Sequence, residues 1–379
     1  MRYFYWYLYV LLWFLAFLGQ NLSPKNQKKL LFLYCAIWAF VFGFRRHDVG
    51  NDTPGYADFF ENIRSTTGYG TVDNPGEDIE EGFVFVSRVV NFFTESSTVI
   101  FLLIGIGIWY AIYRLYRDYT KTPLLSLLYM MTITGELFYT LEIAVRQTVS
   151  VIVIVFGILY IFKSKIRNIK DALSNLWFII GAFLCLPSIT IHRTTGFLVI
   201  VLAILYFLKL SKFYAYFFVG FFTFLAIFAA DRISQMFDFA LMLIGGLSDE
   251  NVNLLGERYM GDMTAGDLNR TGLIAWALPA IITIFFSNKE KVYSYFFKFY
   301  MFSLCLHMLI QFSSMHTRIM TLFVVLGFTA SIPEICSVKT KWYQRYLMFG
   351  LLYLILCYRY FMNYNVKLDA AVPYYFLWQ

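Results

Sequence analysis

Four short stretches carry side chains able to grip an anion or move a proton, and each lies where an apolar run begins or ends. They are Phe44-Arg45-Arg46-His47-Asp48-Val49-Gly50-Asn51-Asp52, Glu142-Ile143-Ala144-Val145-Arg146-Gln147, Ile191-His192-Arg193-Thr194-Thr195 and His316-Thr317-Arg318. A guanidinium is a planar, permanently charged fork that meets phosphate or carboxylate through two parallel bonds. Arg45 or Arg46, Arg146, Arg193 and Arg318, gathered at one cavity, would suit a pyrophosphate, whose several oxygens take several forked donors. Glu142 and Arg146 are one helical turn apart, so a local ion pair accounts for them nearly as well. His192-Arg193 and His316-Thr317-Arg318 have no acidic neighbour within a turn, so their cations need an anion from elsewhere. An anion-conducting path, or an ion-pair network locking helices together, would use the same residues. The pool for a general base is Asp48, Asp52, Glu77, Asp78, Glu80, Glu81 and Glu142, with His192 and His316 competing.

Several chemistries are excluded by pattern. There is no phosphate-binding G-x-x-x-x-G-K-[ST], and Gly105-Ile106-Gly107 is followed by Tyr110 where a dinucleotide fingerprint needs glycine. No H-E-x-x-H or D-x-D occurs, and the four histidines lie far apart. Cys35, Cys185, Cys305, Cys336 and Cys357 are scattered through apolar runs without C-x-x-C spacing, which argues against disulfides and thiolate metal sites. The expectation is no cofactor, no resident metal and no nucleic-acid partner.

The elements that must position these residues are membrane helices. Of 379 residues, 59% are hydrophobic and 21% aromatic, and apolar runs of about 20 residues, the length that crosses a bilayer, recur throughout. The first run, 3–18, lacks a small-residue cleavage site and reads as a retained helix. The pattern predicts an all-α, polytopic integral membrane protein of about twelve helices, range ten to fourteen, as one transmembrane domain over 1–379. Their expected spans are 3–19, 30–44, 97–115, 124–140, 147–162, 173–189, 195–210, 213–230, 271–286, 295–312, 319–335 and 343–361.

Charge orients this bundle. Fourteen of 15 lysines fall in alternate short loops, which the positive-inside rule makes cytoplasmic, so both termini are expected outside. Twelve of 16 arginines and 20 of 24 acidic residues fall at the opposite, outer face. Lysine and arginine count equally for topology, so a different demand sorts arginine outward. Two long outer segments, 45–96 and 231–270, carry the irregular sequence. The turn-forming Asn51-Asp52-Thr53-Pro54-Gly55 lies in the first, and each holds a short apolar stretch, 83–93 and 236–244, suited to a helix lying in the membrane interface.

These residues resemble a known family, the Wzy-type polymerases of O-antigen and exopolysaccharide repeat units, in the branch typified by EpsG. The likeness is carried by Phe44-Arg45 followed by Gly50-Asn51-Asp52-Thr53-Pro54-Gly55-Tyr56, then Glu81-Gly82-Phe83, Arg146-Gln147, Ile191-His192, Arg318 and Pro373-Tyr374. It departs from the family pattern at Arg46-His47 and Thr53-Pro54-Gly55. The resemblance implies a GT-C-like helical bundle in a bacterial inner membrane. Its implied activity is a metal- and nucleotide-independent glycosyltransferase that moves a growing glycan from undecaprenyl pyrophosphate to an incoming lipid-linked unit at the periplasmic face. Arg45, Arg46, Arg146, Arg193 and Arg318 would bind pyrophosphate, with Glu81, Asp52, His192 or Glu142 as base. Tyr56, Gln147, His316, Arg258 and Tyr259 would touch sugar. Membrane lipid, a chain-length regulator and a flippase are the implied partners. A lipid-linked oligosaccharide flippase, an O-antigen ligase and a polyprenyl-phosphate-sugar transferase are the rival readings; a nearly uncharged midplane counts against the flippase.

Overall fold

The computed structural model describes residues 4–50, 52–63, 79–133, 141, 144–164, 166, 169–228, 281, 284, 295–310, 325–326, 342–359, 375–376 and 378. Among them the regular structure is helical, apart from an isolated antiparallel bridge between Arg45 and Phe376. The helices are α1 (Phe4–Gly19), α2 (Pro24–Gly43), α3 (Thr53–Asn62), α4 (Glu81–Phe93), α5 (Ser97–Tyr119), α6 (Pro123–Ile133) and α7 (Val145–Ser164). They continue with α8 (Ile169–Ala172), α9 (Leu176–Cys185), α10 (Pro187–Ile191), α11 (Arg193–Phe207), α12 (Lys212–Phe228), α13 (Tyr295–Ile310) and α14 (Trp342–Arg359). The chain forms two compact units, one of Met1–Phe207 with Phe328–Gln379 and the other of Leu208–Gly327.

Two expectations are corrected. The stretch read as a turn at 51–55 opens α3 instead, because a proline in the first helical turn loses no hydrogen bond and arrives with a helical φ. The helix expected at 173–189 is two helices, since Pro187 cannot donate to the ladder, and α9 stops at Cys185 before α10 begins. The expected interfacial helix at 83–93 is α4, whereas 236–244 and nearly all of 271–286 and 319–335 lie outside the described residues. By length and apolarity α5 and α7 can each cross a membrane, and Phe4–Gly19, Pro123–Thr132, Leu176–Ile191, Leu198–Phe207 and Lys212–Phe228 are shorter apolar segments. The other expected crossings are thus shorter apolar helices among the described residues or lie outside them.

In the first unit, α2 and α5 run antiparallel with small residues at the seam. A methyl group on Gly43 would collide with Leu102, and one on Gly105 with the Ala39 carbonyl, so the two backbones approach as only glycine permits. Trp38 and Trp109 stack between them at 5.4 Å. Helices α5 and α7 run parallel, with Gly107 on Ile152, Tyr110 on Phe156 and Tyr119 on Phe162. Helix α9 returns along α7 through Gly157 and Gly181, each facing the other's carbonyl.

This pairing sorts charge in space. One end of the unit holds Arg45, Arg46, Asp48, Glu61, Glu80, Glu81 and Arg146, and the other holds Lys25, Lys28, Lys29, Arg114, Arg117 and Lys163. Between them, large apolar side chains face outward on several helices, including Phe14, Phe32, Leu103, Ile106, Phe183 and Ile204. A soluble monomer does not expose such a surface; hydrocarbon covers it, and the protein is a membrane protein. In the second unit α12 packs on α13, and the buried Lys298 reaches the Leu208 carbonyl at 2.9 Å.

Candidate functional site

Arg146 stands in the first turn of α7 and points at two partners from outside that helix. Its Nε donates to the Tyr56 hydroxyl at 2.8 Å and its Nη1 to Glu80 Oε2 at 2.6 Å. A guanidinium has five N–H groups, of which two have partners among the described residues and three do not. Both charges are mostly buried, with 22% of the Arg146 side chain and 13% of the Glu80 side chain exposed, so the pair is fixed in direction and only a narrow face is left open. Burial pushes the Tyr56 pKa above its ordinary value, with Arg146 opposing and the Asp52 and Glu80 carboxylates adding to the rise. The phenol stays neutral and accepts from Arg146.

Helix α4 delivers Glu80 because of the way its N-terminus is seated. A Cβ on Gly82 would lie 2.5 Å from Thr190 Oγ1 and 2.8 Å from the Ile191 nitrogen, so the end of α10 rests directly on the backbone of α4. Phe83 and Val84 then enter a cluster with Phe59, Phe60, Phe101, Val145, Val149 and Ile191, beneath the polar groups. Asn91 Nδ2 donates to the Phe60 carbonyl at 2.9 Å and ties α4 to the end of α3. The inward side of α4 carries Phe83, Val84, Ser87 and Asn91, with Glu80 one turn before them, whereas Glu81 opens the exposed side that continues through Phe85, Arg88, Val89 and Phe92. The glutamate that meets Arg146 among the described residues is thus Glu80, whereas Glu142, the partner one helical turn away in sequence, lies outside them.

His192 sits at the junction of α10 and α11. Its backbone N–H closes α10 on the Ser188 carbonyl at 3.0 Å, and its Nδ1 lies 3.2 Å from Thr195 Oγ1. Ser150 Oγ donates to the Ser188 carbonyl at 3.0 Å, which fixes this junction against α7. The first turns of α4, α7 and α11 therefore gather at one end, and helix N-termini direct unpaired N–H groups and partial positive charge toward a bound anion.

The loop after α2 brings the remaining candidates. Arg45 is buried, with its Cζ 4.4 Å from the Phe42 ring centroid and 5.5 Å from that of Phe101. Arg46 turns to Asp48, with Nε 2.6 Å from Oδ1, and lies over the Tyr375 ring at 4.4 Å. That hydrogen bond from Arg46 holds the Asp48 carboxyl below its ordinary pKa. Gly50 has φ 100°, a left-handed backbone that favours glycine, and from it the chain turns into α3 with Asp52 at the N-cap. The tail closes over the loop: the Arg46 N–H donates to the Tyr375 carbonyl at 2.9 Å, and Phe376 meets the rings of Phe4, Phe40 and Trp378.

The structure thus brings together Arg146, Tyr56, Asp52 and the first turn of α4, with His192 and Gln147 on adjoining elements, Gln147 buried in α7 beside Arg146. Glu142, Arg258, Tyr259, His316, Arg318 and the Arg193 side chain lie outside the described residues. Among the described residues no three of His, Cys, Asp and Glu are grouped to hold a metal ion.

No curated protein and no solved structure matches the chain. The EpsG family does, over residues 28–376, a span that takes in the Arg45 loop, Gly50, α3, Glu81-Gly82-Phe83, Arg146 and the tail at Phe376. The glycine, aromatic and arginine positions that build this corner are those the resemblance rested on, and the chain belongs to the EpsG family of Wzy-like polymerases for exopolysaccharide and O-antigen repeat units.

Proposed function

We propose that this polymerase transfers a growing glycan from a polyprenyl pyrophosphate to the non-reducing end of an incoming lipid-linked repeat unit, at the periplasmic face of a bacterial inner membrane. The reading is supported above all by Arg146, a mostly buried fork held by Tyr56 and Glu80 at the convergence of three helix N-termini, with three N–H groups that have no partner among the described residues. Breaking the bond from the anomeric carbon to pyrophosphate builds charge on the leaving oxygen. Donors fixed in advance stabilise that charge more in the transition state than in the ground state. On this reading the lysine end faces the cytoplasm, about twelve helices cross the bilayer, and no nucleotide is consumed because the pyrophosphate ester carries the driving force. Asp52 and His192 border the site, where a sugar hydroxyl would be received.

The test is the full chain in lipid nanodiscs, given one defined undecaprenyl-pyrophosphate-linked repeat unit. A ladder of products is expected. R146A lowers its rate by about 100-fold or more, as loss of one preorganised oxyanion donor does. R146K does not restore it, because an ammonium is a point charge without the fork. Lipid translocation without ladders would favour the flippase, and a single transfer to a different acceptor would favour the ligase.

A further inference from the structure

Behind the Arg45 loop lies a chain of three polar side chains from three elements. Ser97, the first residue of α5, is fully buried at 0% exposure and its Oγ is 2.5 Å from Glu61 Oε1, near the end of α3. The same Oγ is 3.1 Å from His47 Nε2, in the loop after α2. A serine hydroxyl owns one proton and can donate it once. The Glu61 carboxylate can only accept, so the serine proton is committed there. Ser97 Oγ must then accept from His47, which puts the imidazole proton on Nε2 and leaves Nδ1 with its lone pair. His47 and Arg45 lie against one ring, Phe101, at 5.9 Å and 5.5 Å from its centroid.

We propose that His47 is the general base for the acceptor hydroxyl, with Ser97 and Glu61 as its positioning residues; this rests on the glycan-transfer reading above. In the step, the acceptor O–H gives its proton to His47 Nδ1 as its oxygen bonds to the anomeric carbon. The carbon–pyrophosphate bond breaks, and its electron pair leaves with the pyrophosphate. The imidazolium so formed keeps its Nε2–H on Ser97, and the Glu61 carboxylate one hydroxyl away offsets its charge. Asp52 and His192, two of the bases expected from family resemblance, then serve as binding groups. Among the described residues of its own loop, the charges beside His47 are Arg45, which shares the Phe101 ring, and Arg46 and Asp48, which are committed to each other.

Ladder formation by the nanodisc-held full chain, followed as a pH–rate profile, tests this. H47N is expected to lose about 100-fold or more in rate, the usual contribution of a positioned base. E61Q keeps the shape and an oxygen that can accept from Ser97 but removes the charge that favours the imidazolium. The rising limb of its kcat/KM profile should therefore move to lower pH than in the wild type, while a merely structural staple would lower the rate without moving the limb. An E61Q profile that superimposes on the wild type, or H47N with undiminished rate, overturns the relay while leaving the polymerase reading intact. A wild-type protein that makes no ladder overturns both.

Discussion

Arg146 illustrates how a single side chain is given direction before any ligand arrives. Tyr56 and Glu80 take the Nε and one Nη1 proton, which fixes the plane and direction of the fork. Glutamine at position 80 would leave the shape and remove the charge, so E80Q is expected to lower the polymerisation rate by about 10-fold or more, on the scale of a lost hydrogen bond to a charged group. E81Q should stay within about twofold, since Glu81 begins the exposed side of α4. Rates of the two variants on the same lipid-linked unit check the difference; equal losses would remove the special place of Glu80. The sequence made Arg146 a candidate, as an arginine opening an apolar run, but left a local pair with Glu142 as nearly as good an account. It also contained the signal for Glu80: positions 80, 83, 84, 87 and 91 share one face of a helix, and this period was not applied to the glutamates themselves. The Tyr56 contact was not legible, since it joins residues 90 apart in the chain.

At the scale of elements, the site is set by where short helices stop. α10 ends on α4 because Gly82 has no side chain, and alanine there would meet the Thr190 backbone carbon at 2.6 Å, which cannot swing aside as a side chain can. G82A is expected to cost about 1–3 kcal/mol by overpacking. It should also lower activity by more than its stability loss explains, because α4 carries Glu80; thermal unfolding of the purified protein and ladder assays measured in parallel check this. Glycine at such a contact was visible as part of a motif, but its reason was hidden until the neighbouring helix was known. The proline signals were the harder ones to read. Pro54 and Pro187 both begin helices, and from composition alone the first resembled a turn and the second a residue inside a longer run. On its outer side α4 shows Phe85, Val89, Phe92 and Phe93, 46% to 80% exposed, the stripe expected of a helix resting in a membrane interface.

For the first unit as a whole, the partition of charge read from the sequence recurs as a partition in space, because α2, α5, α7 and α9 alternate so that lysine-bearing ends coincide. Hydropathy and the lysine count carried that information; the parallel pairing of α5 with α7 did not follow from them, since it depends on which helix faces which. Phe4, at the start of α1, touches Phe376 in the tail, with ring centroids 5.4 Å apart, and from this contact we expect both residues on one side of the bilayer with an even number of crossings between them. Two complementary fragments of a split fluorescent reporter, one fused to each end, should therefore assemble on a single molecule, and a topology reporter on either end should give the same side. Opposite sides would break the parity. The tail also lies on the backbone that carries Arg45 and Arg46, so a cargo attached there without a spacer would tug on that loop, and a purification handle at that end doubles as a perturbation of it.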